Sequence, residues 1–389
     1  MPTPLTASQS SVERRRATLP WPARLATCAL FACNGLGFGA WISLLPRLRE
    51  VAGLNDAALG VVLLALSVGA MLAMPVVGRV AARVGAGPTC LVAGLALLVV
   101  LPLPGLVRGY VLLLVVVTFL GVALGTLDVG MNAHASRVER HWGSAIMSSF
   151  HGVWSAAGFG GAALMGLLLS RGYDLPACFG VAAAGCGVLA LAALACGRGI
   201  PAEAAPALPR QRFSLPARAL LGVSAMAALS FIMEGAISDW SGVYLHVVLR
   251  ASAARATIAY QGFALAMAVC RFGGDFVVRR LGPVAVLRLG GLLAAVGVGL
   301  GLAMRDAAAA AASFALAGIG LANVVPVVFS AAGRRGPQRV ATVATVGYAG
   351  LLGGPPLLGF VAQHAGLGAA LALVPVGALA LIAIAPSIK

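Results

Sequence analysis

Charge is what this chain has least of. Asp, Glu, Lys and Arg make up 10% of its 389 residues, where soluble globular proteins carry about 25%. So few charges cannot cover a water-facing surface, which excludes a separate soluble domain. Acids are the scarcer sign, 11 against 27 Lys and Arg, for a net charge of +16. That excess sits in short loops between apolar runs, so it reads as membrane topology and no nucleic-acid partner is expected. Cysteine is present without pattern. Cys28, Cys33, Cys90, Cys178, Cys186, Cys196 and Cys270 form no CxxC and no Cys/His cluster, so no zinc site, other metal site or disulfide framework is expected. No G-x-x-x-x-G-K-[S/T] loop occurs, which disfavours ATP-driven chemistry, and no cofactor is expected. Ser148, Ser149 and His151 are too close in sequence, on differing helix faces, for a hydrolase, so no enzyme is expected. Met1–Pro20 holds no short apolar core with a cleavage site, and the run after it reads as a first span, not a removed leader.

What the chain has is apolar length: 60% hydrophobic residues and a mean hydropathy of +0.99. At about 20 residues per span this leaves room for twelve helices. The estimated spans are residues 23–45, 57–77, 88–103, 109–133, 143–170, 175–196, 217–247, 257–278, 283–303, 307–329, 340–363 and 367–385. The longest polar connection, Gly197–Pro216, divides them. The expected organisation is a tail over 1–22, a six-helix bundle over 23–197, a central loop over 198–216 and a second bundle over 217–389. Counted by alternating loops, nineteen basic residues fall on one side and seven on the other, with Arg271 inside span 8. The richer side is expected to be cytoplasmic, with both termini and the tail and central loop on it.

The halves echo each other. Gly78-Arg79-Val80-Ala81-Ala82-Arg83-Val84-Gly85 follows span 2, and Asp275-Phe276-Val277-Val278-Arg279-Arg280-Leu281-Gly282 follows span 8. Each puts an Arg two residues before a turn glycine. A six-plus-six repeat with the solute site between halves is a standard transporter plan. Four G-x-x-x-G pairs (Gly35/Gly39, Gly121/Gly125, Gly297/Gly301, Gly350/Gly354) predict close helix approach. Gly158-Phe159-Gly160-Gly161 and Gly353-Gly354-Pro355-Pro356 predict bends in spans 5 and 11.

The stretch Gly121–Trp154 organises the chemistry. It reads as the end of span 4, a solvent-facing basic hinge at Arg137–His141, and the start of span 5. Asp128 and His151 lie at matching depth on the two spans and are expected to face each other. Ionisable groups inside hydrocarbon are costly and functional by default, so proton movement is the first reading. A buried Asp–His hydrogen bond that only fixes packing also fits. Asn132 shares a face with Asp128, and Trp154 with His151. Glu234 lies midway along span 7 with no basic neighbour in sequence, a setting that suits a proton carrier; a neutral Glu bonded to backbone is the alternative. Asn34, Gln261, Asn323 and Tyr348 are the other candidate solute-lining residues. Asn323 precedes Pro326, which frees a backbone carbonyl, so satisfying that kink is an equal role for it. Asp239 and Trp240 fit either a gate or an interfacial aromatic beside a solvated acid. Arg271 and Asp275, one turn apart, are expected to neutralise each other.

With these motifs the chain resembles the major facilitator superfamily over nearly its whole length. The turn after span 2 is similar to that family's GxxxDRxGR[RK] signature: Gly78, Arg83 and Gly85 match, Ala82 replaces the acid, and Ala86-Gly87 replace the basic pair. The resemblance implies an all-α membrane fold of two pseudo-symmetric six-helix bundles. It also implies a cytoplasmic latch, carried here by Gly78, Arg83, Gly85, Asp275 and Arg280; Arg271 is grouped with it by its place at the same end of span 8. The runs Asp128–His134, Ser149–Trp154 and Glu234–Trp240 are similar to the YbjJ-like branch, itself related to fucose permease, whose sugar uptake is coupled to a proton through acids on helices 1 and 4. Asp128 fits the helix 4 position, and span 1 has no acid. The expected function is a proton-coupled secondary transporter of a small polar solute such as a sugar or related metabolite. It is expected in the bacterial inner membrane, as a monomer, with solute, protons and lipid as its partners. The alternatives are a proton-antiporting exporter of amphipathic compounds and a non-transporting membrane sensor or scaffold.

Overall fold

In hydrocarbon each backbone N–H and C=O must be satisfied within the chain, so apolar runs of this length fold as helices. The structure, a computed structural model, describes residues 21–142, 146–196, 220–334 and 337–388. Among them twelve helices are long and apolar enough to span a membrane. The first six are α1 (Trp21–Val51), α2 (Asp56–Val84), α3 (Ala86–Val100), α4 (Tyr110–Trp142), α5 (Met147–Ser170) and α6 (Leu175–Cys196). The second six are α7 (Leu221–Val247), α8 (Ala253–Phe272), α9 (Pro283–Ala303), α10 (Ala307–Leu321), α11 (Pro337–Ala365) and α12 (Leu367–Ile384). Short helices over Leu103–Leu106, Gly274–Leu281 and Val324–Arg334 prolong α3, α8 and α10.

Local chemistry sets the starts and stops. Asn55, Ser252 and Asp306 cap α2, α8 and α10 by accepting from backbone N–H groups one turn on. Gly85 (φ 95°) ends α2 and Gly282 (φ 78°) ends the helix after α8, each in a left-handed conformation that favours glycine. The echo in sequence is thus an echo in backbone. α10 breaks at Ala322-Asn323 because Pro326 has no N–H to give to the carbonyl four residues back.

The packing repeats with an offset of six helices. In the first half α1 packs on α5 and α6, α2 on α4, and α3 on α4 and α6. In the second, α7 packs on α11 and α12, α8 on α10, and α9 on α10 and α12. Across the halves α2 meets α11 and α5 meets α8, two contacts that exchange under the same offset. Small residues permit the closest approaches. A Cβ at Gly35 or Gly39 would meet the carbonyls of Trp154 or Gly158 on α5, and one at Gly121 the carbonyl of Leu66 on α2.

Three expectations are revised. Residues 137–141 are no hinge: they continue α4, which runs 33 residues to Trp142. Arg137 is 5% exposed rather than solvated. Glu139 on this continued helix reaches the start of α5, where its Oε2 accepts from the N–H groups of Ile146 and Met147 at 2.8 and 2.6 Å. The third revision concerns Asp128 and His151. α4 packs mainly on α2 and α3, and α5 on α1 and α8, so helices adjacent in sequence are not the closest neighbours in space. The tail before residue 21 and the connection over 197–219 lie outside the described residues.

Candidate functional site

The two described ends of the chain share one face of the bundle, here the near face; the turn between α1 and α2 lies on the far face. At the far face the halves meet closely. Gly60 of α2 lies against Pro355 and Gly359 of α11. The Ala57 N–H donates to Gln363 Oε1 at 3.5 Å. His246 Nε2 of α7 stands 3.7 Å from Glu50 Oε2 of α1. Gln261 Nε2 of α8 donates to Thr257 Oγ1 at 2.8 Å and to the Ala162 carbonyl of α5 at 3.5 Å. Gln261, expected to line the solute path, therefore bridges the halves.

Deeper in, Asn34 ties three helices of the first half. Its Nδ2 donates to the Leu124 carbonyl of α4 at 2.9 Å, and its Oδ1 accepts from Trp154 Nε1 of α5 at 2.8 Å. Asn34 is 5% exposed, and its amide is used within the protein. The Trp154 ring then packs on Phe38 at 5.6 Å, and Phe38 meets Tyr260 of α8 edge-on at 6.4 Å. This chain of rings crosses from one half to the other.

Ionisable groups gather on the near-face side of those rings. Asp128 is half-buried; Asn132 Nδ2 donates to its backbone carbonyl at 2.9 Å and to its Oδ1 at 3.3 Å. No hydrogen bond or ion pair joins Asp128 to His151 among the described residues. His151 instead meets the Phe31 ring edge-on at 5.3 Å, within electrostatic reach of Arg271. Glu234 is the middle residue of α7, about 20 Å from either end. Its partner was hidden from the sequence: Arg271 Nη2 of α8, 3.4 Å from Glu234 Oε2. Arg271 Nε also donates to the Ala322 carbonyl, the group Pro326 sets free, at 3.4 Å. Asn323 Nδ2 donates to the Cys270 carbonyl at 3.3 Å, so the α10 break is fastened to α8 twice. Tyr348 of α11 stacks on Phe231 of α7 at 5.8 Å and lies within electrostatic reach of Asp128 in the other half.

The expected gate and latch residues behave differently. Trp240 is fully buried with its indole N–H unpartnered among the described residues, so it is a core residue and not an interfacial one. Asp239 is half-buried. Gly78 and Arg83 lie in the last turns of α2, Arg83 exposed, and Gly85 forms the turn after it. Arg280 sits over the Phe276 ring at 5.4 Å. The side chain of Asp275 lies outside the described part of the structure. The helix breaks at Gly273 between the two, and Arg271 reaches Glu234 on α7. Sequence reasoning also passed over His134, whose Nδ1 hydrogen-bonds Thr27 Oγ1 at 3.0 Å, both buried.

Two six-helix halves around an ionisable seam define a multi-pass membrane transporter. The chain belongs to the Major Facilitator Superfamily, whose family model matches residues 27–350. It is 35% identical over 373 residues to an uncharacterized MFS-type transporter of Yersinia pestis, covering 94% of this chain and 95% of that protein. It is 31% identical to the uncharacterized transporter y4wD of Sinorhizobium fredii, covering 96% and 100%. It is 30% identical to the membrane protein MosC of Rhizobium meliloti, covering 88% and 84%. Among solved structures, a bacterial homologue of the human lysosomal transporter Spinster, in an inward-facing and occupied conformation, superposes with a TM-score of 0.70 at 15% identity, over 94% of this chain and 95% of that one. The nucleoside transporter NupG superposes with a TM-score of 0.67 at 15% identity, over 95% and 98%. At such identities the likeness is one of fold. None of these matches is to a catalytic family.

Proposed function

We propose that this protein is a proton-coupled secondary transporter of a small polar solute, such as a sugar or related metabolite, working by alternating access in the bacterial inner membrane. Both termini face the cytoplasm in this reading, because the arginine-rich loops share the near face. The two bundles, divided at the central loop over 198–216, rock against each other as a monomer. The placing beside the YbjJ-like branch and fucose permease rests on the sequence runs around Asp128, His151 and Glu234.

One observation carries the reading. Ionisable side chains from both halves lie in largely apolar helices: Asp128 and Glu234 near the middle of α4 and α7, His151 in the second turn of α5 and Arg271 in the last turn of α8. The far-face seam is closed around Gly60, Gly359 and Gln261. Asp128 and Glu234 take up and release the proton, and rocking exposes them to either side in turn.

The test is uptake into proteoliposomes with an imposed pH gradient. Uptake of the true substrate should follow the gradient, and Asp128→Asn should abolish gradient-driven uptake while sparing counterflow. Gradient-independent uptake by the unaltered protein removes the coupling. A proton-antiporting exporter of amphipathic compounds is the second reading. It is favoured by the amides: Asn34, Asn132, Gln261 and Asn323 all bond within the protein, while Phe38, Trp154, Phe231 and Tyr348 supply ring surface.

A further inference from the structure

A guanidinium has five N–H donors in a planar fork suited to a carboxylate. Arg271 uses two of them, each singly and each at 3.4 Å, on the Ala322 carbonyl and Glu234 Oε2. Charge-assisted bonds of this kind ordinarily close to about 2.7–2.9 Å, and paired ones run in parallel. The remaining donors have no partner among the described residues, and the side chain is 27% exposed. Glu234 is as poorly served: its Oε1 is buried and unpartnered among the described residues. A buried ion pair held at one long contact recovers little of its desolvation cost. The two groups are positioned firmly, by Pro326 freeing the Ala322 carbonyl and by Asn323 clamping Cys270, yet satisfied loosely. One turn from Glu234 on α7, Phe231 and the stacked Tyr348 form a flat wall beside the pair.

We propose that Arg271 is the binding group for a carboxylate carried by the transported solute, and that Glu234 is the internal carboxylate this solute displaces. The proposal rests on the transport reading above and deepens it by naming the substrate class, an organic anion with one carboxylate. The solute carboxylate takes the free fork of Arg271. Glu234, stripped of its cation in an apolar setting, takes a proton. The exchange balances: a solute carboxylate and a proton enter, Glu234 changes from carboxylate to carboxylic acid, Arg271 keeps its charge, and the net charge of the site is unchanged. One proton therefore travels with one anion, and transport of a monoanion is electroneutral. The other charged or titratable groups around the site are His151 of α5 and Tyr260 of α8, both within electrostatic reach of Arg271, and Tyr348 of α11, itself within reach of Asp128 of α4; Asp239 of α7 acts on Tyr260.

The experiment is thermal-shift binding on the purified full chain at about pH 5.5 and pH 8. The probes are gluconate and benzoate, against their neutral counterparts glucose and benzamide. A carboxylate probe should raise Tm where its counterpart does not, and its apparent Kd should weaken up to about tenfold per pH unit, as for one coupled proton. Arg271→Gln should abolish the shift. Arg271→Lys, which keeps the charge and loses the fork, should weaken it, and serves where the glutamine variant does not fold. Glu234→Gln should bind the carboxylate equally at both pH values. Equal shifts by the neutral counterparts, carboxylate binding that survives Arg271→Gln, or no shift by either carboxylate overturns the proposal. Counterflow reads the transport claim separately: exchange of a neutral solute indifferent to Arg271 sinks this proposal alone. Carboxylate binding without counterflow of any solute sinks transport and leaves the binding site.

Discussion

Adding one methyl group at Gly359 asks whether the far-face seam is a working closure or only a place where helices touch. A Cβ there would lie 2.8 Å from the Asp56 carbonyl oxygen, 2.9 Å from the Gly60 Cα and 3.3 Å from the Gly60 nitrogen. All three are backbone atoms of α2, which cannot turn aside as a flexible side chain can. Ordinary carbon contacts begin near 3.5 Å, so α2 and α11 must part by about half an ångström or more. Overpacking of this kind costs about 1–3 kcal/mol, and the cost falls only on the state in which the seam is closed. At 1.4 kcal/mol per tenfold, Gly359→Ala should shift the balance toward far-face opening by a factor of about 5–150. Gly60→Ala, whose Cβ would meet Pro355 O at 2.8 Å, should act in the same sense. The assay is a spin-label distance between Ala52→Cys and Ala365→Cys, both exposed at the far face, in a background free of the native cysteines. The variants should gain a longer population that the parent lacks. A lowered Tm with an unchanged distance distribution would show that the seam only supports the fold, and the reasoning would fail.

Other expectations concern single bonds. Trp154→Phe keeps the ring against Phe38 and deletes the donor to Asn34 Oδ1, leaving that oxygen buried and unmet; the loss should be about 1–3 kcal/mol in chemical denaturation, and a loss near zero would mean that Asn34 finds another partner. Asp306, outside the spans, accepts from the N–H groups of Ala308 and Ala309, which holds its carboxyl below the usual carboxylate range. A lowered folded pKa gives stability that is present above the ordinary value of about 3.9 and is lost as pH falls through the folded one. The Tm advantage of the parent over Asp306→Ala should therefore hold at neutral pH and close in strong acid; an advantage that grows in acid would contradict the cap.

How far the chain could be read from its residues depended on distance along it. Spans and stops are local: a run of apolar residues, a turn glycine at 85 or 282. Each was visible because the cause sits within a few residues of its effect. The freed carbonyl before Pro326 was legible for the same reason; that Arg271 would answer it was not, since its Nε comes from 51 residues away. The Arg271–Glu234 pair spans 37 residues and depends on how α7 and α8 are rotated about their axes, which spacing alone does not fix. The expected meeting of Asp128 and His151 misplaced the logic in the other direction, treating nearness in sequence as nearness in space. α5 lies against α1 and α8, and α4 against α2 and α3, so these two helices, consecutive in sequence, mostly face elsewhere. This arrangement has a functional consequence. Because α5 reaches across to α8, His151 stands near the Arg271 of the opposite half, and Tyr348 likewise stands near Asp128. Each half thus places an ionisable group where the other half's polar side chains can sense it. In the proposed transporter a change in charge at Asp128 would alter its interaction with Tyr348 of the other half, which is the requirement for a proton to bias how the halves rock.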